Sequence, residues 1–339
     1  TEPARPVYMS HDPAPTGRSL FTGRSLFTGR SLFTRRSLFT GRMSSSDRDQ
    51  GTAAVTHDVK TRFAPSPTGH LHLGHAFSAL VTARLGDGYH LRIDDIDHTR
   101  CRADYTSQIF VDLAFLGLPW TGEPTRQSDR LADYDRALER LREMDLVYPC
   151  YLTRSELAAV LSAPQEAPLA TDTALPQDEQ DRRADQGMTP AWRLRTRAAM
   201  AQAGNISWTD LRTATHRPVD MTSHGDVVVA RRDIGTSYHL SVVVDDAMDG
   251  VTLVTRGADL EDSTPVHRLL QALLNLPAPA YYHHELVRDA AGSRLAKRSQ
   301  SQAISEMRAN GLAATDIFSR MPEVTETDQI LENFFRLVN

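Results

Sequence analysis

The segment RFAPSPTGHLHLGHA, from Arg62 to Ala76, constrains the fold more than any other part of the chain. It holds two prolines, two glycines and three histidines in fifteen positions. The run VKTRFAP at its start predicts a strand, and LGHAFSALVTARL at its end predicts a helix. Proline fixes the backbone torsion φ, so the turn between them is stiff. The sequence therefore predicts a strand, a rigid turn and a helix start flanked by histidines.

The same alternation continues along the chain and predicts an α/β fold with a parallel sheet. Further strands are predicted at YHLRIDDID, AWRLRT, GDVVVARR and GVTLVTRG, and helices at residues 103–116, 130–144 and 237–249, with another after Thr153. The polar, proline-rich residues 162–190 predict an inserted loop. The last forty residues predict two or three short helices.

Composition limits the classes of protein to consider. The chain has 339 residues, of which 40% are hydrophobic and 24% charged, enough to bury a substantial core. No apolar run approaches the ~20 residues that cross a bilayer, so no membrane partner is expected. Only two cysteines, Cys101 and Cys150, are present, which predicts a reducing, cytoplasmic location. The net charge of −5 neither indicates nor excludes an RNA partner.

Residues 16–42 repeat the hexamer TGRSLF, with Leu-Phe pairs on no consistent helical face. We predict that residues 1–57 are a disordered, low-complexity N-terminal extension without function. Two alternatives remain open. The many arginines and serines weakly resemble an organellar transit peptide, and a basic arm that binds nucleic acid is the other option.

The helix start predicts a phosphate site. A helix N-terminus carries unpaired N–H groups and a partial positive charge, which together bind anions. His72 and His75 are three residues apart, so both imidazoles can donate to one anion, and Gly74 allows a ligand to approach the backbone. A His-x-x-His metal site is the alternative, but only Cys150 and scattered histidines could complete it.

Four ordered motifs carry a resemblance to a known family. RFAPSPTGHLHLGHA resembles the signature of class I aminoacyl-tRNA synthetases of the glutamyl type. LRIDDIDHTR, SYHLSVVVDDAMDGVTLVTRGADLEDST and SRLAKRS resemble later motifs of that family, so the likeness runs from Thr61 to Ser299. It implies a Rossmann-type class I catalytic domain at residues 58–299, with an inserted α/β subdomain at about 100–190. Residues 300–339 would then be a short C-terminal helical region, without an anticodon-binding domain.

The short C-terminal region resembles one branch of that family, which attaches glutamate to the modified base queuosine. RGADL and Val242 agree with that branch. The resemblance implies ATP-dependent activation of L-glutamate to glutamyl-adenylate, with Mg²⁺ accompanying ATP. Glutamate would then pass to queuosine at the wobble position of tRNA(Asp), and the enzyme would be a monomer. Three alternatives stay open: a catalytic fragment that charges tRNA(Glu), an inactive RNA-binding relative, and a small-molecule nucleotidyltransferase.

The resemblance also implies roles for individual residues. The glutamate-binding set is Arg62, Phe63, Ala64, Pro65, Ser66, Asp94, Tyr238 and Arg256, and the ATP-binding set is His72, Gly74, His75, Arg294 and Lys297. His72, His75 and Lys297 would be catalytic because they neutralise phosphate charge. Arg62 and Arg256 would bind carboxylates, which suits the planar guanidinium. Asp94 would bind the α-ammonium group.

The sequence departs from the family pattern in three places. Asp94 is one methylene shorter than the usual glutamate. The lysine loop SRLAKRS has Arg294 at its first lysine position and Ala296 where serine is usual. Relatives in the queuosine branch often hold zinc through several cysteines, but this segment reads YPCYLTR with Cys150 alone, which predicts no zinc.

Overall fold

The structure is a computed structural model that describes residues 58–153, 155–157, 174–287 and 302–338. These residues belong to one compact unit, Val55–Asn339. The predictions for residues 1–57 and for the lysine loop at 293–299 lie outside the described residues. None of the helices in the described ranges has the length and apolar character needed to span a membrane.

The described elements alternate between strands and helices. The strands are β1 (Thr61–Phe63), β2 (Tyr89–Ile93), β3 (Thr125–Arg126), β4 (Val147–Cys150), β5 (Ala191–Leu194), β6 (Ser207–Asp210), β7 (Thr215–Pro218), β8 (Val227–Ala230), β9 (Leu253–Gly257) and β10 (Ala280–His284). The helices are α1 (Leu73–Leu85), α2 (Ala103–Phe115), α3 (Leu131–Glu143), α4 (Gln177–Asp185), α5 (Thr196–Ala203), α6 (Tyr238–Met248), α7 (Thr264–Leu274), α8 (Ile304–Ala309), α9 (Ala314–Phe318) and α10 (Thr327–Val338). Short 3-10 helices span Gln127–Arg130 and Ala258–Ser263.

Two groups of parallel strands meet in the middle of the fold. One has the order β1-β2-β3, and the other has the order β7-β6-β10-β9, with β7 antiparallel to its neighbour. The amides of Thr252 and Leu253 donate to the carbonyl of Lys60 at 3.0 and 3.1 Å, so β9 lies beside β1. The order of strands therefore reverses between β1 and β9. Ligands of doubly wound folds bind at such a point, outside the carboxyl ends of the strands.

The first strand-turn-helix unit matches its prediction closely. Helix α1 occupies the predicted stretch LGHAFSALVTARL, and Ala76, Phe77 and Leu80 bury its inner face. Because Arg84 is the one residue of this helix with a permanent charge, most of its surface can pack within the core. Helix α6 also lies in its predicted segment. The Rossmann-type α/β fold predicted from the sequence is confirmed.

A third sheet lies in the middle of the chain. Strand β5 pairs antiparallel with β4 and with β8. The Tyr148 hydroxyl donates to a carboxylate oxygen of Asp226 at 2.9 Å, and the amide of Thr196 donates to the other oxygen at 2.9 Å. These buried bonds join β4 and the start of α5 to the loop before β8. The boundaries of an inserted subdomain at about residues 100–190 stay a prediction.

The predicted loop at residues 162–190 is wrong for its second half, because Gln177–Asp185 form helix α4. None of the nine residues of α4 is buried, so the helix lacks the apolar periodicity that would have revealed it. Ion pairs support it instead, one within the helix and one to a residue outside it. Arg183 pairs with Glu179 at 2.6 Å and reaches Glu156 at 2.8 Å. Residues 162–173 lie outside the described part of the chain.

The C-terminal segment packs onto the first strand-turn-helix unit. Its three helices agree with the prediction of two or three short ones. Ile304 and Phe334 belong to the same buried cluster as Phe77 of α1. The amide of Ile304 donates to the carbonyl of Leu71 at 2.8 Å, and Ala303 forms an antiparallel bridge with His72. The C-terminal segment is thereby fixed against the start of α1.

Candidate active site

The start of α1 holds two stacked imidazoles. The Nδ1 atom of His72 accepts from the amide of Gly74 at 3.1 Å, and Nδ1 of His75 accepts from the amide of His72 at 3.3 Å. The ring centroids are 3.8 Å apart. Because Nδ1 accepts in both rings, the neutral rings carry their protons on Nε2. Both histidines can therefore offer an Nε2–H donor at a helix N-terminus, which suits a phosphate group.

Glycine at position 74 leaves room for the capping side chain of His72. A Cβ atom there would lie 3.1 Å from Cε1 and 3.2 Å from Nδ1 of His72. A larger residue would crowd the His72 ring, which would have to shift by a few tenths of an ångström. The structure thus places His72, Gly74 and His75 in one turn, as the sequence predicted.

A cavity of about 360 Å³ opens at the carboxyl ends of β1 and β9, beside this turn. Its lining includes all eight residues predicted to bind glutamate: Arg62, Phe63, Ala64, Pro65, Ser66, Asp94, Tyr238 and Arg256. His75 and Val242 also line it. The volume is in the range of small-molecule sites. The predicted amino-acid site and the predicted phosphate site are therefore neighbours.

The buried guanidinium of Arg62 is paired within the protein. Its Nε donates to Oδ1 of Asp246 at 2.9 Å, and its Nη1 donates to the carbonyl of Thr255 at 3.1 Å. Burial alone would raise the pKa of Asp246, but the guanidinium groups of Arg62 and Arg92 outweigh it and lower that pKa below its ordinary value. Asp246 is therefore an anion at neutral pH and compensates the charge of Arg62.

Arg92 lies beneath the cavity and is fully buried. Its Nε donates to Oδ1 of Asp94 at 2.8 Å, and its Nη1 donates to Oδ1 of Asp246 at 2.7 Å. One guanidinium thus holds the carboxylate that lines the cavity and the carboxylate that pairs with Arg62. Arg92 was not predicted from the sequence. The available signal was a charged residue between Leu91 and Ile93, in the middle of an apolar strand.

The network of buried charged side chains extends away from the cavity through Asp245. Its carboxylate accepts from the Tyr134 hydroxyl at 2.9 Å, from the side-chain amide of Gln127 at 2.7 Å and from Arg130 at 3.0 Å. Arg130 also pairs with Asp249 at 2.5 Å. These contacts tie α3 and the 3-10 helix before it to α6, which carries Asp245 and ends at its C-cap residue, Asp249.

Arg256 differs from Arg62 in the partners that hold it. Nη2 donates to Oγ1 of Thr264 at 2.7 Å, Nη1 to Nδ1 of His267 at 3.0 Å and Nε to Nε2 of His283 at 3.3 Å. The Tyr238 hydroxyl is 3.5 Å from Nη1. Among the described residues, its hydrogen-bond partners are all uncharged groups. The positive charge of Arg256 is therefore available to a ligand.

The histidines around Arg256 are neutral at pH 7. Burial and the charge of Arg256 lower the pKa of His267 well below its ordinary value, that of His283 to about 3 and that of His239 to about 4. This histidine cluster was not predicted from the sequence, because its members come from α6, α7 and β10.

Asp94 gives the site an expected pH dependence. Burial raises its pKa to about 6, although Arg92 opposes the shift. Only the carboxylate can bind an ammonium group, so kcat/KM for glutamate should fall as pH drops below about 6, by about tenfold per unit. Glutamate-dependent pyrophosphate exchange measured from pH 5 to pH 8 tests this. An Asp94→Asn variant should be slow throughout and lack the fall, whereas a flat wild-type profile would contradict the assignment.

Arg294 and Lys297 lie outside the described residues, so their ATP-binding roles stay predictions. Within the described ranges, no three His, Cys, Asp or Glu side chains are grouped so that they could hold a metal ion. Cys150 is buried and Cys101 is partly buried, and they form no disulfide with each other. The prediction of no zinc stays a prediction.

Comparison with known proteins agrees with this geometry. The family described as "tRNA synthetases class I (E and Q), catalytic domain" matches residues 58–337. The chain belongs to this family. Class I synthetases use ATP, usually with Mg²⁺.

Three individual relatives match about three quarters of this chain. A glutamyl-Q tRNA(Asp) synthetase of Rhodobacter capsulatus is 47% identical over 274 residues, which are 76% of this chain and 97% of the relative. A protein of the same name from Symbiobacterium thermophilum is 39% identical over 77% of this chain and 84% of its own length. Glutamate–tRNA ligase 2 of Acidiphilium cryptum is 38% identical over 77% of this chain, but the match covers 60% of that ligase.

Solved structures support the fold. A glutamate tRNA ligase from Elizabethkingia meningosepticum, in complex with its amino acid, superposes with a TM-score of 0.62 at 23% identity. The superposition covers 81% of this chain and 64% of that ligase. At this identity the likeness establishes the class I catalytic fold.

Proposed function

We propose that this protein activates L-glutamate with ATP and transfers it to queuosine at the wobble position of the tRNA(Asp) anticodon. The observation that carries the proposal is the cavity at the β1/β9 switch point. It combines Arg62, Asp94 and Arg256 with His75 of the phosphate-binding turn. The name of the Rhodobacter capsulatus relative, which matches over nearly its whole length, supports the choice of acceptor.

The first step joins glutamate to AMP. Asp94 holds the α-ammonium group, and Arg256 holds a carboxylate through its uncompensated charge. The α-carboxylate oxygen attacks the α-phosphorus of ATP, and the bond to the β-phosphate oxygen breaks to release pyrophosphate. Donors from His72 and His75 stabilise the charge that develops on the phosphate oxygens. Mg²⁺ enters with ATP as part of that substrate.

The second step moves glutamate to RNA. A hydroxyl of the queuosine ring attacks the carbonyl carbon of the adenylate. The bond to AMP breaks, AMP leaves with the electron pair, and the hydroxyl proton passes to solvent. The product is a glutamyl ester on the modified base. We also propose that the enzyme works as a monomer in the cytoplasm, with residues 58–299 as the catalytic domain and residues 300–339 as a C-terminal helical region.

A charging experiment tests the proposal. Labelled glutamate, ATP and the enzyme are incubated with tRNA(Asp) that contains queuosine, with tRNA(Asp) that lacks it, and with tRNA(Glu). We expect label only in the first. The 38% identity to a glutamate–tRNA ligase makes tRNA(Glu) the second candidate acceptor. Label in tRNA(Glu) alone would replace the proposal with that activity. Absence of pyrophosphate exchange with glutamate would refute both.

A further inference from the structure

The two arginines of the cavity are held in opposite ways. Arg62 is 2.9 Å from the carboxylate of Asp246, so its charge is already balanced. Arg256 is equally buried, but its described partners are a threonine, a tyrosine and two histidines. Holding a buried cation with neutral acceptors is costly, because its charge stays uncompensated until a ligand arrives. This arrangement calls for a functional explanation.

His267 is the partner best placed to orient Arg256. It is 1% exposed and does not line the cavity. It lies on α7 one turn after Thr264, so this helix holds both terminal nitrogens of the guanidinium. The Nε2 atom of His267 is 3.1 Å from Nδ1 of His239. Since Nδ1 of His267 accepts from Arg256, its Nε2 carries the proton and donates to His239.

We propose that His267 is a specificity-determining positioning residue, whose neutral imidazole orients Arg256 without neutralising it. Arg256 then selects the side-chain carboxylate of glutamate and rejects the uncharged amide of glutamine. This inference rests on the proposed function and deepens it. The residue acts through Arg256 and touches no substrate.

The alternatives to a neutral acceptor explain why histidine is needed. A carboxylate at this position would pair with Arg256 and remove the advantage of a charged substrate. An aliphatic side chain would leave Nη1 without its acceptor, so the guanidinium would be less well oriented. Burial and the neighbouring charges of Arg256 and Arg62 also prevent His267 from taking up a second proton at neutral pH. Only a neutral acceptor keeps Arg256 both charged and oriented.

The test compares substitutions at one position. His267→Asp supplies a charged acceptor, His267→Leu supplies none, and His267→Asn supplies a neutral oxygen near the place of Nδ1. Gln271→Met is the matched control. Gln271 lies one turn further along α7, is also 1% exposed, and donates to the Tyr281 hydroxyl rather than to Arg256. Kinetics of pyrophosphate exchange with glutamate and with glutamine give kcat and KM for each enzyme.

We expect His267→Asp to lower the glutamate-to-glutamine ratio of kcat/KM by about tenfold or more. His267→Leu should raise the KM for glutamate by about tenfold with kcat changed less than about threefold, since it weakens binding of substrate and transition state alike. His267→Asn should keep the selectivity ratio and the KM for glutamate within about threefold of wild type, a rescue that a purely structural role would not produce. The control Gln271→Met should also keep both quantities within about threefold.

Circular dichroism establishes that each variant is folded. If His267→Asp does not fold, the comparison of His267→Leu with His267→Asn decides the question. Equal KM values in these two variants, or an unchanged selectivity ratio in folded His267→Asp, would overturn the inference. An inactive wild-type enzyme would instead refute the proposed function, so the two failures are distinguishable.

Discussion

An Arg256→Gln variant is expected to lose about 100-fold or more in kcat/KM for glutamate. Glutamine keeps hydrogen-bonding capacity but removes the charge that faces the substrate carboxylate. Loss of one member of a buried, hydrogen-bonded charge pair costs about 2–5 kcal/mol, and each 1.4 kcal/mol is a factor of ten. The measurement is pyrophosphate exchange at varied glutamate concentration. The KM for ATP should stay within about threefold, because we propose that Arg256 binds glutamate rather than ATP.

Arg268→Gln provides the matched control for this substitution. Arg268 lies on the same helix as His267, but its Nε donates to the carbonyl of Ser207 and it does not line the cavity. Its variant should retain wild-type kinetics. If Arg256→Gln and Arg268→Gln behaved alike, Arg256 would have no part in binding glutamate.

The second large effect is expected in stability. Replacing Arg92 by methionine should lower the free energy of unfolding by about 3–5 kcal/mol, because it leaves the carboxylates of Asp94 and Asp246 buried without their shared cation. Urea denaturation followed by circular dichroism measures the change. Arg100→Met makes the same substitution at an exposed arginine that pairs with Asp97, and should cost less than about 1 kcal/mol.

The Arg92→Met variant should also depend on pH with a definite sign. The folded-state pKa of Asp94 already exceeds its ordinary value of 3.8, and loss of the guanidinium raises it further. Between the two pKa values the folded state binds more protons than the unfolded state, so stability falls as pH rises. The decrease in the free energy of unfolding caused by Arg92→Met should therefore be smaller at pH 5 than at pH 8. A penalty that is small at both pH values would show that the other arginines suffice to hold these carboxylates.

Local sequence was enough to predict the parts of the site that lie close together in the chain. The turn from Arg62 to His75 carries its own geometry, because proline, glycine and the two capping histidines determine it within fifteen residues. Family resemblance, rather than local sequence, predicted the roles of Asp94, Tyr238 and Arg256. They reach the same cavity because parallel strands end, and helix α6 begins, at one edge of the sheet.

The supporting contacts could not be predicted in this way. Arg92 and Asp246 are 154 positions apart, and their bond exists only after β2 packs under α6. Strand β10 was missed for a related reason. Its sequence AYYHH offers an aromatic pair followed by two histidines, which normally suggest a surface, although His283 and His284 are buried. Charge spacing was the overlooked signal for α4, where Glu179 precedes Arg183 by four residues.

Because three histidines near Arg256 are buried, the rate of glutamate binding and the selectivity for glutamate should respond differently to pH. Histidine usually responds to physiological acidification, yet His239, His267 and His283 gain protons only under far more acidic conditions. Asp94, with a pKa of about 6, responds much sooner. With the proposed roles of Asp94 and His267, acidification toward pH 6 should slow the binding of glutamate without lowering its selectivity over glutamine.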